Sequence, residues 1–111
     1  MVRILKYFGF NINFAPVVDL SLFKENNVIG DRAFSADFKK TIKHSKVFVD
    51  LMKDNNIIPV IKHFPGHGAV IDDSHIILPE VSISKDKLLK THLKPFIYYK
   101  KNIKYLLLLQ L

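Results

Sequence analysis

Cysteine is absent from the 111 residues, and arginine is scarce. Without cysteine the chain has no disulfide, no thiolate nucleophile and no cysteine-based zinc motif, and its composition fits a reducing compartment. No apolar run approaches the roughly 18 residues that a membrane span requires. The first residues carry charges where a signal peptide has an apolar run, so we expect a cytoplasmic protein without a membrane partner.

The basic residues are almost all lysines. Fifteen lysines and two arginines outnumber ten acidic residues, which gives a formal net charge of +7. A basic excess can attract nucleic acid by releasing counterions from the phosphates. Here the lysines are scattered from Lys6 to Lys104, without an arginine-rich stripe or an aromatic RNA-binding motif. We therefore expect solvated lysine surfaces and no nucleic-acid partner.

Three short apolar segments have the length of buried strands. Hydrophobic residues make up 49% of the chain, and its 111 residues are enough for one domain at most. The predicted strands lie at about residues 12–18, 57–61 and 103–109. Residues 2–9 predict the last turn of a helix, and the polar residues 21–36 predict a long loop.

Two amphipathic segments alternate with these strands. Asp37 is suited to cap the first helix, which is predicted to end at 54–56. Ser84 is suited to cap the second, over roughly Lys85 to Lys101, and Pro95 predicts a break or kink inside it. Strands that alternate with helices indicate an α/β fold with a parallel sheet and right-handed crossovers.

Polar side chains come directly after the predicted strands. Asp19 follows the first strand, and Lys62 and His63 follow the second. The turn-rich segment 62–68 is predicted not to be a helix, and its sharp turn at 64–66 would fix both side chains over the carboxyl edge of the sheet, where α/β proteins place their chemistry. Hydrogen-bond donors there suit a polyhydroxylated ligand, although the strand could also simply end at this point. Arg32 is either one more such donor or part of an exposed ion pair.

Three of the five histidines lie within thirteen residues, at His63, His67 and His75. A zinc site is one interpretation, but a proline and a glycine break the helix that the spacing of the first two would need, and no cysteine is present. Acid–base chemistry is the other interpretation, with Asp73 orienting His75. The spacing also fits an ordinary polar loop. We expect no metal and no cofactor, and we interpret the two remaining histidines, inside the predicted helices, as non-catalytic.

Four sequence blocks span most of the chain. They are Asn13-Phe14-Ala15-Pro16-Val17-Val18-Asp19, Ile29-Gly30-Asp31-Arg32-Ala33-Phe34, Lys62-His63-Phe64-Pro65-Gly66-His67-Gly68, and Asp73-Ser74-His75 with Leu78-Pro79. In this order and spacing they resemble glycoside hydrolase family 3. Within that family they are similar to the β-N-acetylhexosaminidase branch of bacterial peptidoglycan recycling.

The resemblance implies a partial (β/α)8 TIM barrel, about strands three to five with their helices. It also implies hydrolysis of terminal N-acetylglucosamine by a retaining mechanism. His75 would be the general acid/base, held by Asp73, whereas most retaining glycosidases use two carboxyl groups. The residues that match substrate-binding positions of the family are Arg32, Lys62, His63 and Asp19.

A barrel of this kind needs roughly 250 residues. The family's aspartate nucleophile on a later strand, and an aspartate on an earlier strand that grips the sugar, have no counterpart in the 111 residues. Gln110 stands where the family has a histidine near the end of its strand. We expect residues 1–111 to be a fragment of the family 3 N-terminal catalytic domain that is inactive alone. The alternatives are a non-catalytic sugar-binding remnant and one half of an enzyme that a separately encoded remainder of the barrel completes.

Overall fold

Helices and strands alternate along the chain in the computed structural model, which describes residues 1–22, 29–69, 83–101 and 105–108. The elements are α1 (Val2–Tyr7), β1 (Ile12–Asn13), a first 3-10 turn (Gly30–Arg32), α2 (Phe38–Asp54), β2 (Ile58–Phe64), a second 3-10 turn (His67–Ala69), α3 (Lys85–Lys90), α4 (Leu93–Tyr99) and β3 (Tyr105–Leu108). Within these ranges, no helix is both long enough and apolar enough to cross a membrane.

The three strands form one parallel sheet in the order β1-β2-β3. This confirms the predicted α/β order and the parallel pairing. β1 is shorter than the predicted 12–18, because the chain turns after Asn13, where the Ala15 N–H donates to the Asn13 carbonyl at 2.9 Å, and Pro16 has no N–H for the ladder. The chain rejoins β2 further on, where Val17 forms an isolated parallel bridge with Lys62.

β2 extends past its predicted end at residue 61 and runs to Phe64. Lys62 pairs with Leu107 and Phe64 pairs with Leu108, so two steps along β2 correspond to one step along β3. His63 is therefore the extra residue of a β-bulge, a feature that often re-aims a side chain beside a functional site. The prediction that the turn-rich segment 62–68 is not a helix agrees with the structure, in which β2 continues to Phe64 and a single 3-10 turn begins at His67.

Helix α2 begins where the sequence predicted it. The Asp37 side chain accepts hydrogen bonds from the backbone N–H groups of Lys39 and Lys40, at 2.7 and 3.2 Å. These two bonds hold the pKa of Asp37 below its usual value, because they favour the ionised carboxyl. The buried side chains of this helix recur at helical spacing and are Thr41, Ser45, Val49 and Met52.

The core lies between the sheet and helices α2 and α4. Its main cluster of buried residues is Val18, Val49, Ile61, Phe96 and Tyr99. The Tyr99 hydroxyl lies 2.8 Å from the Ser45 hydroxyl, so one buried hydrogen bond joins the two helices. Burial raises the pKa of Tyr99 to about 12, while the hydrogen bond with Ser45 opposes that rise.

The predicted second helix is two helices, and the break falls before Pro95. Pro95 lies in the first turn of α4, where its missing N–H would have no helical partner. A proline ring excludes the helical hydrogen bond to the carbonyl four residues earlier. For Pro95 this is the carbonyl of Thr91, which is the C-cap residue of α3. His92 is therefore the N-cap residue of α4, close to the break or kink that Pro95 predicted inside the second helix.

Candidate active site

The carboxyl edge of β2 brings together residues that are more than forty positions apart in sequence. The Val18 N–H donates to the Lys62 carbonyl at 2.8 Å, which holds the chain after β1 alongside the end of β2. Asp19 follows directly and contacts both the end of β2, at His63, and the loop after it, at His67. The structure brings together Asp19, Lys62 and His63 at this edge, as predicted.

The Asp19 carboxylate is buried, with 1% of the residue exposed, and both of its oxygens are in use. Its Oδ2 accepts the His63 backbone N–H at 3.0 Å and lies 2.7 Å from His63 Nδ1. Its Oδ1 accepts the His67 backbone N–H at 2.7 Å. The direct sugar contact predicted for Asp19 stays a prediction, while among the described residues its hydrogen bonds go to the end of β2 and to the loop that follows it.

Two glycines allow that loop to pack tightly. A Cβ on Gly68 would lie 1.7 Å from the Leu20 carbonyl oxygen, so a side chain there cannot be accommodated without moving backbone. Gly66 has φ +127°, and a Cβ on it would lie 2.9 Å from the His92 Cβ. The glycines of the sequence block 62–68 are thus explained by the close approach of backbone to backbone and to a buried imidazole.

Lys62 is half-buried beside the buried carboxylate. Burial lowers the pKa of Lys62, the charge of Arg32 lowers it further, and the charge of Asp19 opposes both. Arg32 is exposed at the end of the first 3-10 turn, where its Nε donates to the Ile29 carbonyl at 3.4 Å. The predicted donors Arg32 and Lys62 therefore act on each other electrostatically at the same edge of the sheet.

The histidines differ sharply in their surroundings. The His63 side chain is 13% exposed, and its ring centroid lies 6.4 Å from that of His67, which is fully buried. His44 is exposed on α2 and stacks on Phe34, at 6.1 Å between ring centroids, outside this cluster. In the parts of the chain that are described, no three metal-ligating side chains form a group that could hold a metal ion.

His92 is the residue that the sequence analysis did not connect with this edge. It is 1% exposed, and neither ring nitrogen has a hydrogen-bond partner among the described residues. Burial lowers the pKa of His92, the Asp19 charge opposes that effect, and Lys87 adds to it. The sequence pattern placed His92 inside a predicted helix, but no local signal reveals its packing against Gly66.

Asp73 and His75 lie outside the described residues, so their predicted pairing stays a prediction. The described part of the edge offers an ammonium, a guanidinium and the partly exposed ring of His63. These groups can bind hydroxyl oxygens. Because both Asp19 oxygens are committed to His63 and His67, this carboxylate is not placed to act as a nucleophile or as an acid.

Comparison with known proteins identifies the family. The sequence model of the glycosyl hydrolase family 3 N-terminal domain matches residues 2–103, and the chain belongs to this family. It is 42% identical over 86 residues to a Beta-hexosaminidase of Tolumonas auensis and 40% identical over 86 residues to one of Haemophilus influenzae. Each alignment covers 78% of this chain, and the chain spans about a quarter of the length of these curated relatives.

Solved structures agree with the sequence relatives. NagZ from Neisseria gonorrhoeae in complex with N-trifluoroacetyl-D-glucosamine matches with a TM-score of 0.88 and 31% identity, over 98% of this chain and 32% of that one. Mycobacterium tuberculosis LpqI matches with a TM-score of 0.87 and 30% identity, over 96% of this chain and 31% of that one. These neighbours are family 3 domains of the TIM-barrel type, so the resemblance stated from the sequence blocks is confirmed.

Proposed function

We propose that these residues form part of the catalytic barrel of a retaining β-N-acetylhexosaminidase, about strands three to five. The substrate would be a saccharide ending in N-acetylglucosamine. The observation that carries the proposal is the joint placement of Lys62, His63 and Asp19 at the carboxyl edge of a parallel sheet, in a chain of family 3. The N. gonorrhoeae neighbour was solved with an N-acylated glucosamine, which supports this substrate class.

The surface beside β1 supports the assignment to an arc of a larger barrel. β1 is an edge strand of the described sheet, and an open cavity of about 360 Å³ beside it is lined mainly by apolar side chains, including Leu5, Ile12 and Phe14. Phe10 and Phe14 are 56% and 54% exposed. An exposed apolar strand edge suits pairing with a further strand. That strand would belong to the same polypeptide or to a separately encoded remainder.

The proposed roles divide between binding and proton transfer. Arg32, Lys62 and His63 would donate to or accept from the sugar hydroxyls. By the match of sequence blocks, His75 would protonate the leaving glycosidic oxygen while an aspartate outside these 111 residues attacks the anomeric carbon. His75, oriented by Asp73, would then take the proton of the water that releases the sugar, because an imidazole can serve as both acid and base near neutral pH.

A chimera tests this proposal. The segment of the H. influenzae Beta-hexosaminidase that aligns with this chain is replaced by the aligned residues of this chain. We expect release of p-nitrophenol from its N-acetyl-β-glucosaminide. His75→Gln should lower kcat by about 10²- to 10⁴-fold, the usual contribution of a general acid/base. Lys62→Met should raise KM, since it removes a binding group.

The matched control is His44→Gln, an exposed histidine on α2 outside the edge cluster, which should leave both constants unchanged. A folded chimera that cleaves the glycoside at the same rate with and without His75→Gln would contradict the acid/base assignment. A chimera whose KM is unchanged by Lys62→Met would contradict the assignment of Lys62 to sugar binding.

Sugar binding without catalysis is the second candidate. The described cluster favours it, because its cationic and imidazole groups are in place while the Asp19 carboxylate is committed to the fold. Titration of the 111-residue polypeptide with N-acetylglucosamine tests it, and no binding at high millimolar sugar would remove it. Co-expression with the remaining barrel segment of a relative tests the half-enzyme alternative by recovery of hydrolysis.

A further inference from the structure

Asp19 contacts His63 twice through one oxygen, once at the backbone and once at the ring. From this geometry we infer that Asp19 is a positioning residue, which holds the His63 imidazole as its Nδ1–H tautomer and leaves Nε2 as the ring atom for the sugar. The inference rests on the proposed function for its ligand. It replaces a direct contact between Asp19 and the sugar with a contact through His63.

The donors around the carboxylate determine the tautomer. Two backbone N–H groups, from His63 and His67, donate to Asp19, a pattern suited to an ionised carboxylate, which offers acceptors only. The proton in the 2.7 Å contact must then lie on His63 Nδ1. The hydrogen bond made by one ring nitrogen sets the state of the other. In the neutral ring Nε2 therefore accepts a hydrogen bond, and in the imidazolium it donates one.

The bulge makes this support necessary. His63 is the extra residue at the end of β2, so the ladder with β3 does not fix its direction. The imidazole is 13% exposed and Asp19 is fully buried below it, which places the support inside the fold and the ring at its surface. A ring held through Nδ1 can turn only about that contact, which restricts the position of Nε2 at the end of β2.

Imidazole NMR on the complete 111-residue chain tests the inference. Long-range proton–nitrogen correlations, recorded at a pH where His63 is neutral, should show the Nδ1–H tautomer alone. Asp19→Asn should remove that single tautomer, because an amide cannot accept from all three donors. Asp50→Asn is the matched control, since Asp50 is an exposed carboxylate on α2 that pairs with Lys46, and it should leave His63 unchanged.

The wild-type spectrum decides the inference without any variant. A His63 ring with its proton on Nε2, or one that averages between tautomers as in an unstructured chain, would overturn it. If Asp19→Asn prevents folding, the wild-type tautomer still gives the answer.

Titration of the same sample with N-acetylglucosamine separates this inference from the proposed function. We expect the His63 Nε2 resonance to shift on binding, and Asp19→Asn to weaken binding about tenfold, equivalent to about 1.4 kcal/mol, with no change in Asp50→Asn. A pure Nδ1–H tautomer with no response to sugar would uphold the positioning and refute the sugar as its ligand. A response to sugar from a ring protonated on Nε2 would uphold sugar binding and refute the positioning.

Discussion

Replacement of Gly68 by alanine tests whether close backbone packing holds the site together. The added Cβ would lie 1.7 Å from the Leu20 carbonyl oxygen and 2.8 Å from its carbonyl carbon. Backbone must move by more than 1 Å to relieve this overlap, and overpacking of this kind costs about 1–3 kcal/mol. The movement would also stretch the neighbouring bond from the His67 N–H to Asp19. A hydrogen bond to a charged group contributes about 1.5–3 kcal/mol.

The two effects together predict that Gly68→Ala lowers the free energy of unfolding by about 2.5–6 kcal/mol. That is a large share of the 5–15 kcal/mol typical of a folded domain. Urea unfolding followed by circular dichroism measures the loss. Gly9→Ala is the matched control, because a Cβ at Gly9 meets nothing within 4 Å and its φ of +77° adds only backbone strain. That strain costs about 1–2 kcal/mol.

The same two variants also provide a result that would refute the reasoning. If Gly68→Ala unfolds at the same urea concentration as Gly9→Ala, or at a higher one, the contact between Gly68 and Leu20 does not constrain the edge. In that case the explanation given for the glycine in the sequence block 62–68 fails. A loss of stability with an unchanged His63 tautomer would show that the loop packing is separable from the support that Asp19 gives.

The remaining predictions concern the core around this edge. His92 has a lowered pKa in the fold, so the unfolded chain binds a proton more readily below about pH 6.5, the unperturbed value. The free energy of unfolding should therefore fall from pH 7.5 to pH 5.5, and His92→Leu should reduce that fall, as urea titrations at the two pH values would show. An equal fall in both proteins would contradict the assignment. Tyr99→Phe removes the hydroxyl bonded to Ser45 and should cost about 1 kcal/mol. The exposed neighbour change Tyr98→Phe should cost nothing measurable, and equal losses for the two would contradict the role of the buried bond.

The sequence predicted the elements whose signals are local. Asp37 marks the start of α2 because an N-cap needs only the two amides that follow it, and α2 begins at the next residue. The alternation of strands and helices predicted the parallel order, because short crossovers in this pattern have one favoured solution. Pro95 predicted a break in the second helix. The break lies before Pro95 because a proline ring disrupts the helical hydrogen bond to the carbonyl four residues earlier.

Features that depend on distant residues were not predictable in the same way. The bulge at His63 is a relation between two strands separated by about forty residues, and nothing in the sequence around His63 specifies it. The hydrogen bonds of both Asp19 oxygens, one with His63 at the end of β2 and one with His67 in the loop after it, are likewise contacts between distant segments. The position of His92 inside a predicted helix does not distinguish an ordinary core residue from one that packs against Gly66.

The contacts of Asp19 suggest that sugar binding and glycoside cleavage depend on different parts of the barrel. Its hydrogen bonds join the chain after β1 to the end of β2 and the loop that follows it, and the close approach of Gly68 to Leu20 joins the same parts of the chain. All of these contacts lie among residues that the structure describes, and they hold His63 at the edge of the described sheet. The nucleophile, by contrast, is proposed to come from outside the 111 residues. Sugar binding should therefore need less of the barrel than hydrolysis does. A 111-residue polypeptide that binds N-acetylglucosamine without cleaving its glycosides is the result that this separation predicts.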